Sequence, residues 1–253
     1  MSATYGPDTY GRRWADVYDE RFEPRFARDT VEAVAFLLGI VGGGRALELG
    51  IGTGRVALPL AEQGVRVHGI DASKEMVARL RRKPGGRRIP VTMGDFERVA
   101  VQGRFDLVYV VFNTIFALLS QEAQVRCFAG VARRLEPGGA FVVQAFVPDL
   151  TRFEQDQRVG AFGVGLDDVT FEATVHDPVS QRISSQIVAM TSEGRVRLDP
   201  VEIRYAFPSE LDLMARLAGL RLKERWGNWR RDPCTSDSTA HVSVYEKPRR
   251  GRS

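Results

Sequence analysis

Three glycines at alternate positions, Gly50, Gly52 and Gly54, constrain this chain more than any other stretch. The short apolar run Ala46-Leu47-Glu48-Leu49 leads into them and Arg55-Val56-Ala57-Leu58-Pro59-Leu60-Ala61 continues at helical spacing, so the segment reads as strand, tight turn and helix start. Lacking a Cβ, glycine permits positive φ and lets a ligand lie against the backbone, here at the first turn of a helix whose free N–H groups point outward. The predicted product is a nucleotide-sized docking edge in an α/β fold, outside the carboxyl ends of parallel strands.

The turn by itself leaves two readings open, because Gly52-x-Gly54-x-x-Ala57 also satisfies the relaxed dinucleotide fingerprint of nicotinamide enzymes. Charge separates them. Glu48 stands two residues before the first glycine, where a carboxylate suits a cationic ligand better than a pyrophosphate. Asp71 closes the next apolar run, and Asp95 in Gly94-Asp95-Phe96 follows the run from Ile89 to Met93. Strand-end carboxylates gather in one crevice of an open parallel sheet.

Taken together, Glu48-x-Gly50-x-Gly52-x-Gly54, Asp71 and Gly94-Asp95-Phe96 resemble the class I S-adenosylmethionine-dependent methyltransferases of the small-molecule, natural-product type. The resemblance covers roughly Tyr10 to Phe146 and continues more weakly to Lys247. It implies a doubly wound, seven-stranded, mostly parallel α/β sheet with an antiparallel β insertion between the fifth and sixth strands and an N-terminal helical lid. It further implies that the glycine turn holds the methionine part of S-adenosylmethionine, with Glu48 beneath it ordering the turn. Asp71, with Ala72 beside it, would accept from both ribose hydroxyls, and Asp95 from the adenine amino group with Phe96 alongside.

A chain of 253 residues with 43% apolar content can bury most of its surface in one core. Its longest apolar run, Ala33 to Val41, is too short to span a bilayer, and Met1 to Gly6 lacks the basic start and apolar stretch of a secretion signal, so a cytoplasmic location is expected. Cys127 and Cys234 form no motif and are expected to be free thiols. No metal site is expected either. The net charge of +4 is concentrated in Arg79 to Arg88 and in the tail from Arg249, and neither run contains an aromatic, which argues against a nucleic-acid reader.

Ahead of the first strand, Tyr10, Trp14 and Tyr18 are spaced to share a helical face. Two uses stay open: packing against Phe22 and Phe26, or a lid whose hydroxyls reach the cofactor's carboxylate, the use that the resemblance favours. Asp29-Thr30 reads as the cap of a helix from Val31 to Ile40, and Ser73, Ser120 and Ser209 as caps of later ones. Phe112-Asn113-Thr114 leaves the fourth strand where methyl donor and acceptor would meet, so Asn113 is either a cofactor contact or a turn residue. Base-methylating relatives carry a proline-rich tetrapeptide there, absent here.

Pro148 to Asp168 reads as a long loop, followed by three strands at Val169 to Val175, Gln181 to Met190 and Arg195 to Phe207 that should form antiparallel hairpins over the crevice; the resemblance implies that they wall the acceptor pocket or form a homodimer contact. The expected organisation is a helical lid (1–43), a cofactor-binding core (44–148), a loop and β insertion over the substrate (149–207), the end of the core sheet (208–247) and a basic tail (248–253).

A sulfonium carries its own leaving group, so catalysis needs chiefly alignment and exclusion of water. His176 at an expected hairpin turn and Tyr10 at the lid are the candidate bases, whereas His68 and His241 read as structural strand residues. Amino-sugar dimethyltransferases carry a histidine after the fourth strand where this chain has Ala117. The expected activity is methyl transfer to N or O of a small metabolite. Methylation of nucleic acid or protein, and cofactor binding without transfer, are the alternatives.

Overall fold

The computed structural model describes residues 5–249; Met1 to Thr4 and most of the expected basic tail lie outside the described residues. The chain runs α1 (Thr9–Trp14), α2 (Tyr18–Val41), β1 (Arg45–Leu49), α3 (Ala57–Glu62), β2 (Arg66–Asp71), α4 (Lys74–Arg82), β3 (Val91–Met93), β4 (Phe105–Val110), α5 (Gln121–Arg134) and β5 (Leu135–Phe146). A second antiparallel unit follows: β6 (Gln157–Val164), β7 (Asp168–Asp177), β8 (Arg182–Thr191) and β9 (Val196–Arg204). It ends with α6 (Pro208–Leu217), β10 (Arg221–Trp226) and β11 (Ala240–Glu246).

The main sheet has the order β10-β11-β5-β4-β1-β2-β3, with β11 antiparallel to both neighbours. Its central strands are apolar on both faces because helices cover both. Leu47, Leu49, Val108 and Phe141 pack towards Phe128 of α5 and Met214 of α6. Ala46, Val67, Leu107 and Val142 pack towards Leu37 of α2 and Leu60 of α3. Each fully buried large apolar side chain contributes about 1.5–3 kcal/mol. The order reverses between β1 and β4, so the crevice opens there.

The second sheet, β6-β7-β8-β9, is the insertion between the fifth and sixth core strands. It has four strands rather than the expected three, because β6 occupies part of the stretch read as a loop. As an edge strand almost wholly exposed on both faces, β6 leaves no burial periodicity in the sequence. The N-terminal region differs too. α2 begins thirteen residues before the expected helix start at Val31 and bends at Phe26, two residues after Pro24, so Asp29 and Thr30 lie inside it. Thr30 Oγ1 instead donates to the Phe26 carbonyl exposed at the bend (2.8 Å). Ser73 and Ser120 do cap α4 and α5, but α6 starts at Pro208 with Phe207 as its cap, not Ser209.

Candidate cofactor and acceptor site

All three turn glycines have positive φ (+72°, +55° and +81° at Gly50, Gly52 and Gly54), but the neighbours that demand glycine differ. A Cβ on Gly50 would lie 2.5 Å from Thr114 Cγ2, and one on Gly54 2.4 Å from Leu80 Cδ1, so these two allow close packing. A Cβ on Gly52 would meet nothing within 4 Å. The middle of the turn therefore faces open space.

Asp71, at the end of β2, is fastened to this turn. Its Oδ2 accepts from Gly52 N–H (2.7 Å) and its Oδ1 from Ser73 N–H (2.8 Å). Each oxygen keeps capacity for another donor. Burial pushes the Asp71 carboxyl above its usual range, against the pull of these two N–H groups. Ala72 lies between the two anchored residues and is half-buried. Glu48 is 3% exposed and accepts from Tyr109 Oη (2.9 Å). Burial, helped by the nearby Asp71 charge and opposed by Tyr109 and Arg55, pushes it up to about 8.

Asp95 stands exposed just past β3, where its Oδ1 accepts from Glu97 N–H (3.0 Å). Phe96 is buried, with its ring edge 3.7 Å from where a Gly50 Cβ would sit. Beyond β4, Phe112 and Asn113 both adopt left-handed backbone (φ +57° and +62°), strain that a packed surrounding must hold. The Gln144 side chain accepts from Phe112 N–H (2.5 Å), and Asn113 Oδ1 accepts from Phe146 N–H (2.7 Å). The Asn113 carbonyl thus serves the turn, the second of its two expected uses, and contact with the cofactor is not needed to account for it.

The N-terminal segment closes over this edge. Thr53 Oγ1 in the glycine turn donates to Asp19 Oδ1 of α2 (2.6 Å), and a Cβ on Gly11 of α1 would strike Ser73 Cβ at 2.3 Å, so α1 sits directly on the start of α4. Arg55, which the sequence did not single out, donates to Thr30 Oγ1 (2.7 Å) and lies 3.3 Å from the Phe112 ring centroid. It also draws the Tyr18 hydroxyl down against burial, the larger effect, which raises it.

The aromatic residues divide between the two uses. Trp14 is 1% exposed and packs with Met76, Tyr10, Phe22 and Ile187, so its ring belongs to the packing, contrary to its expected cofactor role. Tyr10 stacks on Trp14 at 5.8 Å, and burial, then the neighbouring Tyr18 and Tyr5 hydroxyls, push its phenol well above the usual value. It holds its proton at any ordinary pH. That removes Tyr10 as a base and leaves it a hydrogen-bond donor.

His176 is not at an exposed turn. It lies buried near the end of β7, stacked on Phe153 at 4.6 Å, with Nδ1 3.1 Å from Asp156 Oδ1 and Nε2 3.0 Å from Tyr205 Oη. With both ring nitrogens engaged it has no free lone pair for an acceptor, which corrects its reading as a base. His68 bonds Thr92 Oγ1 (2.9 Å) and His241 bonds Ser243 Oγ (2.9 Å), as structural residues would. Burial lowers His241 to about 4.

The register of the insertion places Glu172, Thr174, Ser185, Asp199 and Val201 on one face, with Thr174 Oγ1 and Ser185 Oγ 3.0 Å apart. Thr174, Ser185 and Asp199 are buried, so this is the inner face. It meets the lid directly: Arg197 donates to the Arg13 carbonyl (2.6 Å) and lies 5.8 Å from the Trp14 ring. These polar contacts were invisible in the sequence, since an acid or serine within a β-branched run carries no sign of which face it occupies. Among the described residues, no helix is long and apolar enough to cross a membrane, and both cysteines are free.

The profile of a family described as a methyltransferase domain matches residues 46–139. The cypemycin N-terminal methyltransferase of a Streptomyces species is 31% identical over 208 residues, spanning 81% of this chain and 84% of its own. The solved CcbJ methyltransferase from Streptomyces caelestis superimposes with a TM-score of 0.90 at 40% identity, covering 96% of this chain and all of that one. The sugar N-methyltransferase KedS8 from Streptoalloteichus shares the fold (TM-score 0.69, 19% identity, 99% and 98% coverage).

Proposed function

Since the chain belongs to the class I S-adenosylmethionine-dependent methyltransferases, we propose that it moves the cofactor's methyl group to a nitrogen of a small metabolite held between α1 and the insertion. The observation that carries this reading is the open face of Gly52, with Asp71 fastened 2.7 Å from its amide and α1 packed across the same edge. A side chain at position 52 would project into that cradle, and the spare acceptor capacity of Asp71 fits a vicinal diol. The residues present therefore fit the group.

In this reading Gly52 and Gly54 back the methionine portion, Asp71 accepts from the ribose and Asp95 from the adenine amino group beside Phe96. The neutral Tyr10 and Tyr18 hydroxyls donate to the cofactor's carboxylate. When bound, the sulfonium supplies an electrophilic methyl with its leaving group attached. The chain's contribution is to align the acceptor and to keep water out under α1. The attacking nitrogen must arrive neutral, and the new ammonium returns its proton to solvent.

Nitrogen suits these residues better than oxygen. An alcohol needs a base, yet His176 has both nitrogens engaged and Tyr10 keeps its proton. The relative named as a cypemycin N-terminal methyltransferase supports the same atom. Transfer of labelled methyl from the cofactor to amines, set against their matched alcohols, tests this choice.

A cytoplasmic location agrees with the two free thiols. The outer side of the insertion leaves Val159, Val175 and Leu198 exposed, and we infer that a second copy covers it. Light scattering should then give twice the chain mass; the mass of one chain at assay concentration would remove the dimer.

A further inference from the structure

The basic run from Arg79 to Arg88 has no part in the site described above, yet it is more than a solvated helix face. α4 ends at Arg82, and Gly85 and Gly86 then fold the chain back against it. Gly85 has φ +76°, and a Cβ on Gly86 would lie 1.8 Å from the Leu80 carbonyl oxygen, so this return requires both glycines. Gly86 N–H donates to the Lys83 carbonyl (3.0 Å), Arg88 N–H to that of Gly85 (2.9 Å), and Arg81 Nη1 to those of Gly86 and Ile89 (2.6 and 2.5 Å). The loop is therefore held in one shape.

It borders a cavity of about 530 Å³ lined by Arg81, Arg82, Lys83, Arg87 and Arg88 with Pro84 and Gly85, and by no acid. Two of the five cations are engaged: Arg81 with the loop carbonyls, and Lys83 with Asp19 (3.0 Å) and Glu23 (2.7 Å). The side chains of Arg82, Arg87 and Arg88 make no hydrogen bond or ion pair among the described residues. Arg82 is accounted for as a cation in the last turn of α4. Arg87 and Arg88 lie beyond that helix, and three like charges around one hollow repel one another unless an anion joins them.

A second cavity, about 450 Å³, adjoins the first and shares Pro84, Gly85 and Arg88 with it. Leu58, Val65, Val67, Ile89 and Phe105 give it an apolar lining, and Glu62 is the one acid on either wall, set against Arg45, Arg66 and Arg88. Arg45, Arg66 and Phe105 open β1, β2 and β4, so this hollow lies at the amino ends of the parallel strands. The cofactor turn is at their carboxyl ends, a strand length away, roughly 15 Å.

We propose that the two cavities form a second binding site, for an organic diphosphate: its phosphates on Arg82, Arg87 and Arg88, and a short apolar body in the adjoining cavity. Guanidinium forks match phosphate oxygens two at a time, and a diphosphate carries about as much negative charge as these three arginines carry positive. A single carboxylate would leave part of the cluster unmatched. Nucleic acid is disfavoured, since Phe105 is buried and offers no open face for a base. No bond is made or broken at this site, and the inference does not depend on methyl transfer.

The test is calorimetry on the full chain with excess S-adenosylhomocysteine, at an ionic strength of about 0.15 M, where surface charge is largely screened. The probes are inorganic pyrophosphate, isopentenyl diphosphate and isopentenol. Pyrophosphate should bind one per chain, isopentenyl diphosphate at least fivefold more tightly, and isopentenol not measurably. The double variant Arg87→Gln, Arg88→Gln should weaken both diphosphates tenfold or more, with S-adenosylhomocysteine affinity unchanged. Arg216→Gln, removing an exposed cation on α6, should leave them within twofold.

Absence of saturable pyrophosphate binding, its persistence in the double variant, or an equal loss in Arg216→Gln overturns the proposal. Isopentenyl diphosphate binding no more tightly than pyrophosphate overturns the assignment of the second cavity. If the double variant does not fold, Arg82→Gln decides by the same tenfold criterion.

Discussion

Replacing Asp71 by alanine should weaken S-adenosylmethionine binding by about 1–3 kcal/mol, a loss of roughly 5- to 150-fold. Two losses combine in that figure. The cofactor's hydroxyls would lose their acceptor, and Gly52 N–H would lose the bond that holds the open turn in place. Burial holds the Asp71 carboxyl above its usual range, so ionising it is a burden to the unliganded protein. Asp71→Asn, whose amide can accept from only one of the Gly52 and Ser73 N–H groups, should bind the cofactor more weakly than the parent and lose part of the thermal stability as well. His68→Gln, removing a ring that bonds only Thr92 on the sheet's body, should leave affinity within about twofold. Calorimetric titration of the three variants checks this, and unchanged affinity in Asp71→Ala would refute the ribose assignment.

The second large effect concerns pH. Glu48 is pushed up to about 8 in the fold, whereas its usual value is 4.5. Between those values the unfolded chain has released the proton and the folded one retains it. The stability Glu48 contributes is thus complete below about pH 4.5 and is lost as pH rises through about 8. A difference of this size corresponds to several kcal/mol at most, and on the order of 2–4 kcal/mol after structural relaxation. Glu48→Gln keeps the Tyr109 bond in a form that cannot ionise. It should melt near the parent at pH 5 and clearly above it at pH 9. Melting curves at pH 5, 7 and 9 decide, and equal slopes for the two proteins would show that Glu48 is ionised in the fold.

Those two residues were legible in the sequence because each occupies a position defined by the backbone. The backbone alone puts a carboxylate beside the turn at both positions: Asp71 accepts from Gly52 N–H, and Glu48 is buried against Tyr109. The same holds for the serine caps of α4 and α5, which satisfy backbone donors locally. What the sequence hid depends on long-range packing. Trp14 is spaced like a lid residue, but its fate was decided by Met76 and Ile187, which arrive from other elements.

His176 looked like a turn residue because His-Asp-Pro is turn-like, yet β7 continues through Asp177 and the ring is claimed by Asp156, Phe153 and Tyr205. β6 went unread since an exposed edge strand needs no alternation. Arg55 opens an apolar run, and Asp199 stands between Arg197 and Glu202 in a strand of alternating charge. Nothing in their spacing separates a solvated charge from one held in a buried contact.

Where the methyl group goes is the most direct test of the proposed activity. When the purified chain is incubated with S-adenosylmethionine labelled in the methyl carbon and a set of small primary and secondary amines, label should appear on nitrogen, with S-adenosylhomocysteine formed in equal amount. Label found on the matched alcohols alone, or cofactor bound tightly and recovered intact with every amine tried, would contradict it.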